Sequence, residues 1–402
     1  MLTNLKPVYG FEVFKYINGR TLSAQQYVGT FQLGVHTIEV LPKIDGQTKD
    51  VRRNLVAMLS VVHDLDISEG EAARLAKQNH GILEILIRIF CDKLFLQIHR
   101  GLIHRYEAKE DNLSVLRGRL GIAEQVRLNA GNPERLYCHF DEFQDDNPLN
   151  QILKACIKFL LKVARDIRNQ QLLAELMLVF QSVREVHKYS LPWVKVQFDR
   201  LSDRYKPCFH LAELFLKGIP PDVTGGQVHG FSLFFDMNQL FEKYIGRIAR
   251  KVLMPIGYDV ILQGPQKHLA FDLHKKNSVF AMKPDIVGLH AGAVAWILDT
   301  KWKPLSLQKS KEGVQQDDLY QMYAYAHCYD TKDVVLLYPH HSELNGEAGI
   351  RSLFALNPWI RGAVEDFKRV KVATIDLTVL GTVPEQLKRI ILSGASAAAS
   401  TA

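Results

Sequence analysis

The sequence predicts an α/β protein. A mixed sheet flanked by helices forms its C-terminal part, preceded by a β-containing N-terminal region and a helical middle region. Two observations lead there. Strand-like alternation clusters before residue 50, whereas helical spacing dominates the middle. From about residue 236 onward the order is helix, several strands, helix, strand, which suits a mixed α/β layer.

Taken in order, Tyr27–Phe31 and His36–Val40 read as strands around a turn at Leu33-Gly34, and Leu41-Pro42-Lys43-Ile44 leaves the second strand. From Arg52 the pattern turns helical, with Leu55, Leu59, Val62 and His63 at helical spacing. A longer helical stretch runs from about Gly81 to Tyr106, and Leu116-Arg117-Gly118-Arg119-Leu120 is a short strand or loop after it. Asn147-Pro148 supplies an N-cap followed by a first-turn proline. Asp145 and Asp146 precede that cap, where acids suit the helix dipole, and this explains them better than a catalytic pair. Helices continue to about Arg184 and resume around Phe209–Lys217.

Residues 218–230, with Pro220, Pro221, Gly225 and Gly226, are the best linker candidate. Asp236 can cap the next helix, with Gln239 three residues on, and Leu240, Phe241, Tyr244, Ile248 and Val252 form its apolar stripe. Strands are expected at about 258–263, 269–273, 279–287, 293–301 and 333–338, and a helix over 314–328. The Ala/Ser-rich tail is expected to be disordered. The expected organisation is an α+β region at 1–110, a mainly helical region at 111–225, an α/β domain at 226–392 and a tail at 393–402.

Bulk properties narrow the function classes. A chain of 402 residues is long for one compact domain. Its formal charge of +7 favours an anionic partner, though only weakly. The five cysteines are odd in number and none forms a CxxC pair, which argues against a disulfide framework or structural zinc and for buried free thiols in a reducing compartment. The N-terminal MLTNLKPVYGFEVF lacks a signal-peptide pattern, and no uncharged apolar run reaches the roughly 18 residues of a membrane span. A cytoplasmic protein without a membrane partner is expected. GxxxxGK[ST] is missing, so no nucleotide is expected to bind this chain through a P-loop.

The informative segment is Lys283-Pro284-Asp285-Ile286 followed by Ala295-Trp296-Ile297-Leu298-Asp299-Thr300-Lys301. Val294–Leu298 is an apolar run, expected as a strand buried on both faces. Asp299 and Lys301 are two apart and share a face at its end. Asp285 precedes the turn-rich Gly288–Gly292 connection, so a hairpin brings all three side chains to one edge. Two carboxylates there make a hard-oxygen site for Mg²⁺ or Mn²⁺. A lysine beside it can orient an attacking water and offset charge on a phosphorane-like transition state. A bare DxK is more often a strand-end ion pair. The Pro-Asp on the neighbouring strand favours the site.

On the 314–328 helix, Asp318, Gln321 and Tyr325 share one face, and Gln321 and Tyr325 are candidates to reach the site or a phosphate. Glu242, near the start of the 236–253 helix, is a candidate further carboxylate. Lys243, Arg247, Arg250 and Lys251 form a basic stripe on that helix and are candidate DNA-binding residues.

The run from Pro284 to Pro339 resembles the PD-(D/E)xK nuclease core and, more narrowly, the McrC-like nuclease subunits of McrBC modification-dependent restriction systems. The likeness rests on Lys283-Pro284-Asp285-Ile286, Leu298-Asp299-Thr300-Lys301-Trp302, Asp318-Leu319-Tyr320-Gln321-Met322-Tyr323-Ala324-Tyr325 and Leu336-Leu337-Tyr338-Pro339. Upstream, Leu240-Phe241-Glu242, Ile38–Ile44 and Arg53-Asn54-Leu55 fit as well; Leu116–Leu120 and Phe140–Phe143 fit less specifically.

The resemblance implies a Mg²⁺- or Mn²⁺-dependent endodeoxyribonuclease. Its catalytic set would be Asp285, Asp299, Lys301, Gln321, Glu242 and Tyr325, with Asp285, Asp299, Glu242 and Thr300 at the metal. It also implies a partner, an McrB-like hexameric AAA+ GTPase that translocates double-stranded DNA and reads the modified cytosine. The N-terminal part, with 1–110 as the partner-binding region, would insert into the ring, and residues 1 to about 225 would bind and stimulate the GTPase, with Lys43, Arg52 and Arg53 as candidates for a basic side chain offered to its nucleotide site. The alternatives are a stand-alone DNA repair or processing nuclease and a non-catalytic GTPase-activating adaptor. A neighbouring gene for a GTPase separates the first alternative, and the intact Asp285, Asp299 and Lys301 speak against the second.

Overall fold

A computed structural model describes residues 13–17, 21–33, 36–76, 81–217, 230–308, 310–356 and 367–393. The expected linker at 218–230 and the tail from 393 fall almost wholly outside these residues, as does Gly34 of the predicted N-terminal turn. The chain forms two compact units. One runs up to Ile82 and resumes at Pro221; the other spans Leu83 to Pro220.

This division differs from the three successive regions expected, and strand pairing is the reason. In the first unit, β1 (Phe14–Ile17) and β2 (Thr21–Ala24) form a hairpin. β3 (Tyr27–Leu33) pairs antiparallel with β4 (His36–Val40), as predicted, but its other edge takes β5 (Gly230–Asp236) from far along the chain. Gly29 makes that approach possible: it sits at φ 143°, and a Cβ there would lie 2.0 Å from the Leu233 carbonyl oxygen. Helices α1 (Thr48–His63) and α2 (Glu69–Ala76) follow β4. Asn54, fully inside α1, donates to the carbonyls of Leu377 and Thr378 at 2.8 and 2.9 Å. The N-terminal segment is thus built into the same core as the C-terminal one.

After β5, Asp236 caps α3 (Met237–Leu253) by accepting from the Asn238 N–H at 2.8 Å. The main sheet has six strands in the order β12-β13-β11-β10-β9-β6. Its members are β6 (Asp259–Leu262), β9 (Ile286–His290), β10 (Ala293–Thr300), β11 (Asp333–Pro339), β12 (Gly349–Ala355) and β13 (Arg369–Ile375). β9 and β10 form the predicted antiparallel hairpin, while β10, β11 and β13 run parallel. Helix α4 (Gln316–Cys328) covers one face, with Met322, Tyr325 and Ala326 against Val287, Ile297, Val334, Leu336 and Val370. The alternate residues Ile286, Leu298, Val335 and Leu337 are also buried, so the central strands are apolar on both faces. α3 packs on β6 and β10, and α5 (Val383–Leu392) on β12 and β13.

The strand predicted at 279–287 is two strands. β8 (Asn277–Met282) pairs only with β7 (Lys267–Asp272) in a separate two-stranded ribbon, and the chain enters the main sheet afresh at Ile286. Pro284 sits in the break, where it has no N–H to offer a ladder.

The second unit adds a small sheet to the expected, mainly helical middle. The predicted 81–106 helix ends at Ile98, and Arg105–Leu113, Arg119–Leu120 and Leu136–Gln144 make a three-stranded sheet with the last in the centre. Arg105–Leu113 is rich in charge and largely exposed, so no apolar alternation announced it, and Leu136–Gln144 is mostly half-buried. The helices Pro148–Val163, Ile167–Val179 and Lys206–Lys217 match expectation. Asn147 accepts from the Asn150 N–H at 3.1 Å as the predicted cap. Asp146 accepts from the Gln151 amide and the Arg184 N–H, a structural role. Cys91, Cys138, Cys156 and Cys208 are buried free thiols, and Cys328 is half-buried. No helix among the described residues is long and apolar enough to cross a membrane.

Candidate active site

β10 carries the centre of the site. Its alternation sends Leu298 to one face and Asp299 to the α4 face, where Asp299 is 1% exposed. The parallel partner β11 continues the ladder past the strand end, since the Lys301 N–H donates to the Leu337 carbonyl at 2.9 Å. Lys301 is thereby held in extended register two residues beyond Asp299. Its Nζ ion-pairs Asp299 Oδ2 at 2.5 Å and donates to Gln321 Oε1 at 3.0 Å. Gln321 Nε2 donates in turn to the Tyr325 hydroxyl at 2.8 Å. The i, i+4 pair on α4 therefore anchors the lysine, as its spacing suggested.

Asp285 stands at the entry to β9, directly across the hairpin. Thr300 donates to its Oδ2 twice, from the backbone N–H at 2.8 Å and the hydroxyl at 2.9 Å. The Asp285 carbonyl accepts from the Gln263 N–H at 2.8 Å, which ties the site to edge strand β6.

Electrostatics mark the pair. Burial pushes the Asp299 carboxyl well above the ordinary carboxylate range, and the charge of Asp285 adds to the shift against the pull of Lys301. Burial also raises Asp285, opposed by the two Thr300 hydrogen bonds. On Lys301 burial works to lower the pKa, but the surrounding carboxylates, Asp299 foremost, more than offset it and the net shift is upward. A buried acid and a half-buried one side by side are costly when both ionise, and a divalent cation between them offsets that cost.

Glu242 on α3 faces the same region. Burial raises its pKa, with Asp285 the next cause, and Gln263 Nε2 hydrogen-bonds it. Among the described residues, however, no group of three or more His, Cys, Asp or Glu side chains is gathered to hold a metal, so Glu242 does not complete a carboxylate cage with Asp285 and Asp299. The donor set suits Mg²⁺ or Mn²⁺, which keep waters and take further ligands from a phosphate. The Thr300 hydroxyl is engaged with Asp285 and orients that carboxylate.

A cleft of about 940 Å³ opens beside Asp285 and Glu242. Lys243, Arg247, Arg250 and Lys251, the predicted basic stripe, all line it. Lys243 and Lys251 are exposed, Arg247 ion-pairs Asp64, and Arg250 Nε donates to the Val260 carbonyl at 3.1 Å.

Two contributors lay outside the predicted site. Asp318 is 7% exposed, lies 3.9 Å from Lys301 Nζ and 3.5 Å from Lys303 Nζ, and accepts from the Tyr338 hydroxyl at 3.3 Å. Its place on the Gln321–Tyr325 helix face was the available signal. Gln263 had none, because only the pairing of β6 with β9 brings it to Asp285.

A family model described as McrBC 5-methylcytosine restriction system component matches residues 22–339, a span holding every residue of the site. The chain belongs to this McrBC family. Two solved structures are similar. A chain of the refined half-complex from the tetradecameric assembly of Thermococcus gammatolerans McrB AAA+ hexamers with bound McrC is 21% identical at a TM-score of 0.70, covering 95% of this chain and 85% of that one. A chain of the cryo-EM structure of the Thermococcus gammatolerans McrBC complex is 27% identical at a TM-score of 0.51, covering 60% and 70%. Within the McrBC family this is an McrC-like member. None of the curated proteins matches the sequence.

Proposed function

We propose that this chain is the DNA-cleaving subunit of an McrBC-like modification-dependent restriction system, and that its first unit holds a PD-(D/E)xK nuclease core. One observation carries the reading: half-buried Asp285 and buried Asp299 face each other across a β-hairpin, with Lys301 ion-paired to Asp299 and fixed by Gln321. The mixed sheet supports it, since the parallel β10–β11 pair sets the DxK strand end and the antiparallel β9 brings the Pro-Asp across.

The residues divide the work. Asp285 and Asp299 would hold Mg²⁺ or Mn²⁺, which when bound supplies Lewis acidity at the scissile phosphate and an acidified water. Thr300 fixes the rotamer of Asp285. Lys301 presents a protonated amine where charge develops on the phosphoryl oxygens, and Gln321 and Tyr325 hold that amine in place. Glu242 faces the cleft as an acceptor, and Lys243 and Lys251 neutralise phosphates along it.

The partner is proposed to be an McrB-like hexameric AAA+ GTPase that reads modified cytosine in double-stranded DNA and is stimulated by this chain. One of the similar solved structures is of McrB AAA+ hexamers with bound McrC, and the other is of an McrBC complex. The test is to co-purify the chain with the adjacent AAA+ protein and measure GTP- and Mg²⁺-dependent cleavage of methylated against unmethylated duplex. A complex that hydrolyses GTP but leaves methylated DNA intact would remove the nuclease reading.

A further inference from the structure

The β7–β8 ribbon has no role in the reading above. It is a lone two-stranded antiparallel ladder, and no strand of the main sheet pairs with it. Most of its residues are exposed on both faces. Leu269, Phe271, Leu273 and Phe280 are 54, 56, 82 and 72% exposed. Phe280 stands at φ 57°, a conformation unfavourable for a bulky residue, opposite Leu269 where the ladder is interrupted. Exposed apolar side chains held at such backbone expense mark a contact surface.

Three facts decide what covers it. The segment 267–283 carries Lys267, Lys275, Lys276 and Lys283 against the single acid Asp272. Lys275 and Lys276 sit at the turn, shaped by Asp272 Oδ1 accepting from the N–H groups of His274 and Lys275 at 2.9 Å each. The base is clamped, because the buried Tyr329 hydroxyl donates to the Pro265 carbonyl at 2.6 Å with the Met282 carbonyl 3.1 Å away, and Lys267 Nζ reaches the Cys328 carbonyl at 2.8 Å. Past Met282 the chain runs straight into Lys283-Pro284-Asp285. A lysine-tipped ribbon, clamped at its base, therefore leads directly into the segment that carries the first carboxylate.

We infer that this ribbon is a DNA-contacting arm that enters the major groove beside the scissile phosphate, with Lys275 and Lys276 on the backbone and Phe271 and Phe280 against base edges. A two-stranded ribbon fits that groove, and thymine methyl groups are natural partners for apolar side chains there. The inference rests on the reading of the chain as a DNA nuclease.

The experiment measures binding of a labelled DNA duplex by the full chain, without divalent metal, across a salt series. Lys275→Ala/Lys276→Ala is expected to weaken binding by about tenfold and to reduce the salt slope by about two. Phe271→Ser/Phe280→Ser is expected to weaken it comparably with the slope unchanged. All four side chains are exposed, so melting curves should match wild type. Wild-type affinity in both variants overturns the inference, as does undetectable binding by the wild-type chain. So does a Phe pair that converts a dimer to a monomer in sedimentation while DNA affinity stays constant, since the surface would then join two copies. Cleavage is scored separately. Ribbon variants that bind weakly beside a wild type that never cleaves would sink the nuclease reading and leave the ribbon, and the converse pattern would sink the ribbon alone.

Discussion

Thr300 clasps Asp285 from across the hairpin, giving a single carboxylate oxygen two hydrogen bonds at 2.8 and 2.9 Å. Only the strand register Ile286↔Leu298 makes this possible, because it sets Thr300 beside the residue that precedes β9. Thr300→Val removes the hydroxyl and keeps the N–H and the shape. It should lower cleavage by roughly tenfold and stability by about 2 kcal/mol, the worth of one hydrogen bond to a charged acceptor. Kinetics and thermal melts on the same preparation check this, and unchanged cleavage would show that the clasp does not position Asp285.

Asp299→Asn should abolish metal-dependent cleavage, a fall of ~10³ or more from loss of a metal ligand. The fold should survive, because the amide keeps the shape and relieves repulsion with Asp285 while weakening the pair to Lys301. Melting with and without Mg²⁺ is the direct readout. Wild type should gain stability from the ion and the variant should not. An equal gain in both, or near-normal cleavage by the folded variant, contradicts the assignment.

Lys301→Ala should lose cleavage yet retain metal, since the amine is no ligand and its removal leaves both carboxylates in place. Gln321→Ala should weaken cleavage by about tenfold to a hundredfold, acting through the position of the amine. Calorimetry with Mn²⁺ on Lys301→Ala and Asp285→Ala separates the roles. Equal loss of metal affinity in the two would mean that the lysine shapes the carboxylate site itself.

The geometry of the candidate site was legible because its signals are local. Asp299 and Lys301 share a face by strand periodicity, Gln321 and Tyr325 by helical periodicity, and the apolar run Val294–Leu298 placed the strand. What stayed hidden depends on distant pairing. Nothing near Gly230 announces that β5 will pair with β3, which makes residues 1–110 no independent region. The strand Arg105–Leu113, sequence RYEAKEDNL, has too little apolar alternation to be read as one. β13 was missed although it is RVKVATI; its buried Lys371, 3.4 Å from Asp333 Oδ1, masks an otherwise apolar run.

Stimulation of an AAA+ GTPase should survive loss of the nuclease site, but a 1–225 fragment is the wrong vehicle for showing it. Such a fragment would strip β5 from β3, remove the Leu377 and Thr378 carbonyls that satisfy the buried Asn54 amide, and separate Arg247 from Asp64. A buried amide left unpaired costs about 1–3 kcal/mol, before counting the lost ladder and core. The fragment should therefore be poorly folded by circular dichroism. The full chain carrying Asp299→Asn should instead stimulate GTP hydrolysis by the cognate partner as well as wild type does. The three candidate basic residues differ in their pairing. Arg52 is bound to Glu39 at 2.6 Å and Arg53 lies 3.1 Å from Asp50, whereas Lys43 is exposed at the rim of a 660 Å³ cleft. Lys43→Ala should reduce stimulation more than Arg53→Ala. A folded dead-site chain that fails to stimulate would show that nuclease chemistry and motor activation are not separable in this protein.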